Sequence, residues 1–289
     1  MINFLLEPLS YEFFRHGLLA ALMVGISCGL IGTYVILRGM SYVGHGLSHA
    51  AFGGAVVGFT FNLNFYAGAG AMGLLSALLI NRVTRSGRIK LDAAIGIVTT
   101  AIFALGIVII SQGASFNQSF EAALFGNILG IGEDDLLIIS LVTAATLTII
   151  FFLYRPLLFS TFDNEAAKVF GIKTDAMQLI FSVLLTLAII ASMNIVGVTM
   201  IAAALITPAA TARLMTNSFG RMLIYSLTIG AMSGVVGIYL SYIFNTASGA
   251  TIVLFGAFLF CMTWLVKSVQ EGPMMRRRRL HKNGLISAE

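Results

Sequence analysis

Six long apolar runs without Asp, Glu, Lys or Arg constrain the fold of this chain more than any other feature. They cover residues 17–37, 39–81, 93–120, 136–154, 176–212 and 222–266. A helix of about 20 apolar residues crosses the hydrocarbon of a bilayer. The three longest runs have room for two crossings each, with breaks expected at Asn62–Asn64, Asn194 and Asn245–Gly249. The sequence therefore predicts an all-α, polytopic membrane protein with nine transmembrane helices, or eight if the N-terminal helix does not cross fully.

Basic residues occur in alternate loops, and this pattern predicts the orientation of the chain. They lie at Arg38, in 82–90, 155–173 and 213–221, and in the tail at 276–279. The intervening loops, including 113–135, contain no Lys or Arg. Loops rich in Lys and Arg stay on the cytoplasmic side. We therefore expect one transmembrane domain over 1–270, an outer loop at 113–135, and a basic cytoplasmic tail over 271–289.

His45 and His49 are the strongest chemical signal in the chain. Residues four apart lie on one face of a helix, and ionisable groups inside the hydrocarbon usually mark an ion or substrate path. Counting from Arg38, His49 lies roughly 16 Å into a core about 30 Å thick. Because imidazole is a common metal ligand, we interpret the pair as ligands of a divalent metal that crosses the membrane. The competing interpretation is two packing histidines, hydrogen-bonded to backbone carbonyls or to Ser48.

Four stretches in order along the chain resemble landmarks of one transport family. Residues 44–50 read GHGLSHA, residues 124–129 read LFGNIL, residues 162–172 read FDNEAAKVFGI, and residues 196–213 run from VG to LITPAATAR. They are similar to the GDALSH, LFGNIL, FDPExAxxxGI and VG…LLIxPAATAR stretches of permeases in the manganese, zinc and iron branch of bacterial ABC importers. The chain is identified by this resemblance as a member of that family.

The resemblance implies the fold of ABC importer permeases of the metal- and vitamin-uptake type. It implies a homodimer in the bacterial plasma (inner) membrane, resting on cytoplasmic ATPase subunits and supplied by an extracytoplasmic metal-binding lipoprotein. It also implies that the loop at 160–173 couples to the ATPase, through Phe162, Asp163, Glu165 and Gly171. From the residues themselves, Asp163 can cap a short helix with Glu165 in its first turn, and Gly171 can end it.

At one position the chain departs from the family pattern. The family usually carries Asp where this chain has His45, with a His that matches His49. A dimer would then offer four neutral imidazoles instead of two carboxylates and two imidazoles. Carboxylate suits Mn²⁺, whereas imidazole suits Zn²⁺ and Fe²⁺ better. The transported ion is therefore left open among manganese, zinc and iron.

Several other functions are less consistent with the sequence. A G-x-x-x-x-G-K-[ST] phosphate loop is absent from it, so we expect a transport subunit and not an enzyme, with ATP hydrolysis in a partner. No permanently bound cofactor and no nucleic-acid partner are expected, since the basic tail fits the positive-inside rule.

A gradient-driven secondary cation carrier or channel remains the alternative. Ser48 lacks a nucleophile motif, which disfavours an intramembrane hydrolase, and both histidines on one helix disfavour a bis-His haem site.

Overall fold

The computed structural model describes residues 6–61, 63–84, 87–111, 124–127 and 130–282, and all regular elements in these ranges are helical. This confirms the all-α prediction. A 3-10 turn at Glu7–Ser10 precedes eleven α-helices. They are α1 (Glu12–Leu37), α2 (Val43–Thr60), α3 (Phe65–Thr84), α4 (Leu91–Ser111), α5 (Glu133–Phe152), α6 (Tyr154–Phe162), α7 (Asn164–Val169), α8 (Thr174–Val196), α9 (Ile201–Met215), α10 (Phe219–Phe244) and α11 (Ser248–Lys282).

Seven of these helices are long and apolar enough to cross a membrane, within the part of the chain that the structure describes. They are α1, α3, α4, α5, α8, α10 and α11, the last as far as Gln270. Helix α9 is apolar but has only 15 residues. Helix α2 has 18 residues, and its two histidines and five glycines lower its hydropathy. Most of α2 is buried against other helices, so it does not need the apolar surface of a lipid-facing helix.

At one end of the bundle, α1, α6, α8 and α10 meet, and we call this the Arg38 end. Arg38, just after α1, donates hydrogen bonds to Thr161 near the end of α6 and to Gln178 near the start of α8. The ring of Phe219, which opens α10, lies 5.4 Å from the ring of Tyr34 near the end of α1. The basic segments at 155–173 and 213–221 belong to this end.

The opposite end of the bundle, the Asp135 end, is joined by a polar cluster. The hydroxyl of Tyr66, near the start of α3, donates to Asp135, near the start of α5. Asn194, near the end of α8, donates its amide to the Tyr66 oxygen at 2.7 Å and to Asp135 at 3.2 Å. The hydroxyl of Thr199 donates to the carbonyl of Leu124 at 2.7 Å. The start of α8 thus lies at the Arg38 end, and its last turn lies at the Asp135 end beside the starts of α3 and α5.

Helices α1 and α8 are the most buried spans, and glycine lets α10 lie directly on α1. The backbones of Gly25 and Gly230 are in contact. The Ser226 hydroxyl donates to the carbonyl of Gly29 at 2.6 Å. Small residues allow such close approach of membrane helices, and α9 packs against both helices of this pair.

Candidate metal path

Helix α2 carries both histidines, and glycines fix it against α4 on one side. A Cβ atom on Gly46 would lie 3.0 Å from the Thr99 hydroxyl oxygen, and one on Gly53 would lie 3.0 Å from the Cα of Phe103. A side chain at Gly46 would displace side chains of α4, and one at Gly53 would displace its backbone. The absence of a side chain at these positions therefore sets how closely α2 and α4 approach.

A second glycine face fixes α2 against α3. A Cβ atom on Gly58 would lie 3.0 Å from the Cα of Gly68, and Gly54 also contacts Gly68. On a further side, Gly44 faces α9, where a Cβ atom would lie 3.3 Å from the side chain of Leu205. Three sides of α2 are thus in close contact with neighbouring helices, and the rotation of α2 about its axis is determined.

The remaining side of α2 carries His45 and His49. Their rings meet edge to face, with centroids 4.6 Å apart and an interplanar angle of 82°. Both side chains are partly exposed. The structure thus brings together the two residues that the sequence selected, as the i, i+4 spacing requires.

One ring nitrogen of the pair and the neighbouring Ser48 hydroxyl bear on how the histidines are held. The Nδ1 atom of His49 is buried and has no hydrogen-bond partner among the residues that the structure describes, although buried polar atoms are normally paired. The Ser48 hydroxyl donates to the carbonyl of His45 at 2.8 Å, so its proton is engaged by the backbone. The proton of Ser48 is therefore not available to an imidazole, and the serine is not arranged as a nucleophile beside a base.

Aromatic rings border the pair on both sides. The ring of Tyr42 lies 5.5 Å from that of His45, and the ring of Phe103 lies 5.1 Å from that of His49. Farther towards the Asp135 end, Phe52 and Val56 follow the histidines on the same face of α2 and are fully buried. On this face the pair therefore lies between the exposed Tyr42 and the buried Phe52 and Val56.

The described part of one chain does not build a closed metal site. No group of three or more His, Cys, Asp or Glu residues that could hold an ion occurs among the described residues. A structural zinc site has four protein ligands in tetrahedral geometry. Two imidazoles on one helix supply only half of such a set, which is appropriate for an ion held briefly and then released.

The short capped helix expected in the 160–173 loop is present as α7. The Asp163 carboxylate accepts a hydrogen bond from the backbone N–H of Ala166 at 2.9 Å. Glu165 in the first turn pairs with Lys168 at 3.0 Å. Gly171 follows the helix with a φ of 78°, which glycine adopts without steric cost. Local sequence therefore determines both ends of this helix.

Large apolar side chains surround α7 and are exposed. Phe162 is 63% exposed, Phe170 75% and Val169 86%. A cluster of exposed apolar side chains commonly marks an interaction surface. We call Phe162, Val169 and Phe170 the α7 apolar surface. Of these three residues, the family resemblance had selected Phe162 but neither Val169 nor Phe170.

Two predicted regions are described only in part. In the outer loop at 113–135, residues 113–123, with Glu121, and 128–129 lie outside the described residues. In the tail at 271–289, residues 283–289 lie outside them as well. From the described part of the outer loop, the Asn127 N–H donates to the carbonyl of Asn194 at 2.9 Å. This piece of the loop therefore lies on the end of α8.

Comparison with known proteins settles the family. The model of the family described as "ABC 3 transport family" matches residues 10–267 of this chain, which is most of its length. The chain belongs to the ABC 3 transport family. This confirms the resemblance identified from the four sequence stretches.

Two transport proteins and one solved structure are similar to this chain over nearly its full length. The "Manganese transport system membrane protein MntC" of Listeria monocytogenes is 37% identical, over 96% of this chain and 98% of that protein. A "Probable iron transport system membrane protein" of Haemophilus influenzae is 31% identical, over 98% and 100%. The structure "PsaBC from Streptococcus pneumoniae in complex with Fab" has a TM-score of 0.82 and 39% identity, over 91% of this chain and 95% of that chain.

Proposed function

We propose that this chain is the permease subunit of an ATP-driven importer that carries a divalent transition metal across the bacterial plasma membrane. Mn²⁺ is the first candidate ion, and Zn²⁺ and Fe²⁺ are the others. The observation that carries the proposal is the edge-to-face pair of His45 and His49 on a buried membrane helix, with one ring nitrogen unpartnered. The names of similar proteins, which specify manganese and iron, support the same substrate class.

The transmembrane topology follows from the alternating helix ends. The seven long apolar helices together with α2 and α9 give nine crossings. Because the basic segments lie at the Arg38 end, the positive-inside rule makes that end cytoplasmic. The C-terminus is then cytoplasmic and the N-terminus external. Residues 1–270 form one transmembrane domain, and 271–289 form a cytoplasmic tail.

A second copy of the chain completes the ion site. Each chain offers two ring nitrogens, and a twofold axis beside the histidine face of α2 would bring four together. The site carries no carboxylate, and a dication in low dielectric is costly to hold without compensating negative charge. Binding is therefore weak enough for the ion to be released. A site of four imidazoles also binds Zn²⁺ and Fe²⁺ in preference to Mn²⁺ more strongly than a site with carboxylates does.

The energy for transport comes from ATPase subunits that dock at the Arg38 end. The α7 apolar surface, with Phe162, Val169 and Phe170 exposed, provides the contact, and the capped α7 keeps it rigid. Asp163 caps the helix that presents it, Glu165 lies in the first turn, and Gly171 follows the last turn. At the Asp135 end, a metal-binding lipoprotein delivers the ion, and Glu133 and Asp134 are exposed there.

The test uses the chain in proteoliposomes, with and without an ATPase subunit encoded beside it. For the complex, we expect uptake of ⁵⁴Mn, ⁶⁵Zn or ⁵⁵Fe that requires ATP on the Arg38 side and the lipoprotein on the other. The chain alone should not concentrate metal when a proton or sodium gradient is imposed. Gradient-driven uptake by the isolated chain would instead support the secondary carrier.

A further inference from the structure

Arg38 is connected through the backbone to the start of α2. Gly39 follows it with a φ of 65°, and the N–H of Met40 returns to the carbonyl of Val35 at 3.0 Å. This left-handed turn is a common way for a helix to end, and α2 begins directly afterwards, at Val43. The N–H of Val43 in turn donates to the carbonyl of Met40 at 2.9 Å, so a displacement of Arg38 also displaces the start of the histidine helix.

The side chain of Arg38 joins two other helices. Its Nε donates to the Thr161 hydroxyl at 3.1 Å and its Nη2 to the Ser160 hydroxyl at 3.3 Å, both in the last turn of α6. Its Nη1 donates to the Gln178 side-chain oxygen on α8 at 2.6 Å. Its Cζ lies 4.2 Å from the ring centroid of Phe181, also on α8. The guanidinium thus uses its planar fork to hold α1, α6 and α8 together.

All of these partners are neutral. Among the described residues, no carboxylate forms an ion pair with Arg38. Burial lowers the pKa of Arg38 to about 10, so the side chain is still protonated at neutral pH. A partly buried charge without its hydrogen-bond acceptors is unfavourable. If α6 is displaced, the lower-energy response is therefore for Arg38 to move with Ser160 and Thr161.

Helix α6 leads directly into α7. Thr161 lies in the last turn of α6, and Asp163, which caps α7, is the first residue after α6. A displacement of α7 therefore also displaces the hydroxyls of Ser160 and Thr161, which accept hydrogen bonds from Arg38. The described contacts form a continuous series from α7 through α6 and Arg38 to the start of α2.

We propose that Arg38 is a positioning residue that transmits movement of α7 to α2, and so couples ATP hydrolysis to the ion path at His45 and His49. The inference rests on the proposed function, since it takes α7 as the ATPase contact. Arg38 does not touch the ion in this mechanism. A purely structural role, in which Arg38 only holds three helices together, would change stability but not the ratio of transport to hydrolysis.

The first test compares Arg38→Gln with Arg155→Gln in the full complex with its ATPase. Arg155 is exposed on α6 and has no recorded partner in the described ranges, so its variant removes the same charge at the same end. We expect Arg38→Gln to hydrolyse ATP while metal carried per ATP falls about tenfold, within the range of coupling effects of such residues. Arg155→Gln should retain the wild-type ratio, and Arg38→Lys should recover it only in part, because ammonium cannot reproduce the fork.

A milder pair of changes covers the case in which Arg38→Gln does not fold. Ser160→Ala with Thr161→Val removes the contacts to α6 and leaves Gln178 and Phe181 to hold the charge. Metal carried per ATP should fall about threefold, a partial loss of the same coupling. A wild-type ratio in this double variant, or in a folded Arg38→Gln complex, would overturn the inference.

Hydrogen exchange separates this inference from the proposed function. Nucleotide binding to the wild-type complex should change amide exchange at the start of α2, and the change should be absent in Arg38→Gln. If that holds but no metal is taken up, the transported substrate is wrong and the coupling role stands. If nucleotide alters α2 equally in both proteins, the coupling role is wrong even where metal uptake is normal.

Discussion

Gly53 of α2 and Gly106 of α4 pack backbone against backbone. A Cβ atom on Gly106 would lie 2.8 Å from the Cα of Gly53. This contact lies close to His49 and Phe103, whose rings are 5.1 Å apart. Residues without side chains therefore determine where the histidine face of α2 points.

A methyl group at this contact should displace α2. We expect Gly106→Ala to destabilise the folded complex by about 1–3 kcal/mol, as overpacking of a close contact does, and to reduce metal uptake. Gly96→Ala is the matched control on the same helix, because a Cβ atom there meets nothing within 4 Å. Thermal unfolding in detergent and metal uptake measure the two effects. Equal behaviour of the two variants would contradict the packing explanation.

The cap of α7 should matter for the ATPase contact. Asp163→Ala removes the hydrogen bond to the Ala166 N–H, and loss of such a cap costs about 1 kcal/mol. Because α7 has only six residues, we expect it to unwind and to bind the ATPase several-fold less tightly. Asp163→Asn keeps an acceptor and should bind as the wild type does. Co-purification with the ATPase and metal-stimulated ATP hydrolysis report the difference.

The polar cluster at the Asp135 end should contribute to stability. Tyr66→Phe removes the hydroxyl that donates to Asp135 and accepts from Asn194. A buried hydrogen-bond partner left unsatisfied costs about 1–3 kcal/mol, so we expect a lower unfolding temperature. Tyr225→Phe is the control, since no hydrogen bond of the Tyr225 hydroxyl is recorded in the described part of the structure. If the two variants unfold at the same temperature, the cluster is not an energetic link between α3, α5 and α8.

Restoring a carboxylate at position 45 should change ion preference. His45→Asp would give each chain one carboxylate and one imidazole, and the carboxylate favours Mn²⁺ relative to Zn²⁺. We expect the ratio of manganese to zinc uptake to rise, with total uptake retained. The measurement is competition between ⁵⁴Mn and ⁶⁵Zn in one assay. An unchanged ratio would show that residue 45 does not contribute to selection.

The elements determined by local sequence were predicted from it. The capped α7, the break after α2 and the shared face of His45 and His49 each depend on residues within a few positions of one another. One predicted break was misplaced, because α8 continues through Asn194 to Val196 and ends at Gly197, whose φ is 81°. Asn194 is tolerated inside the helix because Tyr66 and Asp135 satisfy its amide.

Contacts between distant segments were not predictable in this way. The partners of Arg38 lie more than 100 positions along the chain, and nothing in the local pattern around Arg38 indicates Thr161 or Gln178. Sequence alone assigned Arg38 only to the inner membrane boundary. The glycine contacts of α2 were not predictable either. The sequence shows where the glycines are, but it does not show which helices they contact.

We propose that His45 and His49 hold the ion as it crosses the membrane. The most direct measurement is ATP-dependent uptake of radioactive metal by proteoliposomes that contain the complex with both residues changed to Ala, beside His16→Ala as a histidine control near the start of α1. We expect the double variant to assemble with its ATPase and to lose uptake, while His16→Ala transports as the wild type does. Wild-type uptake by the assembled double variant would contradict the claim.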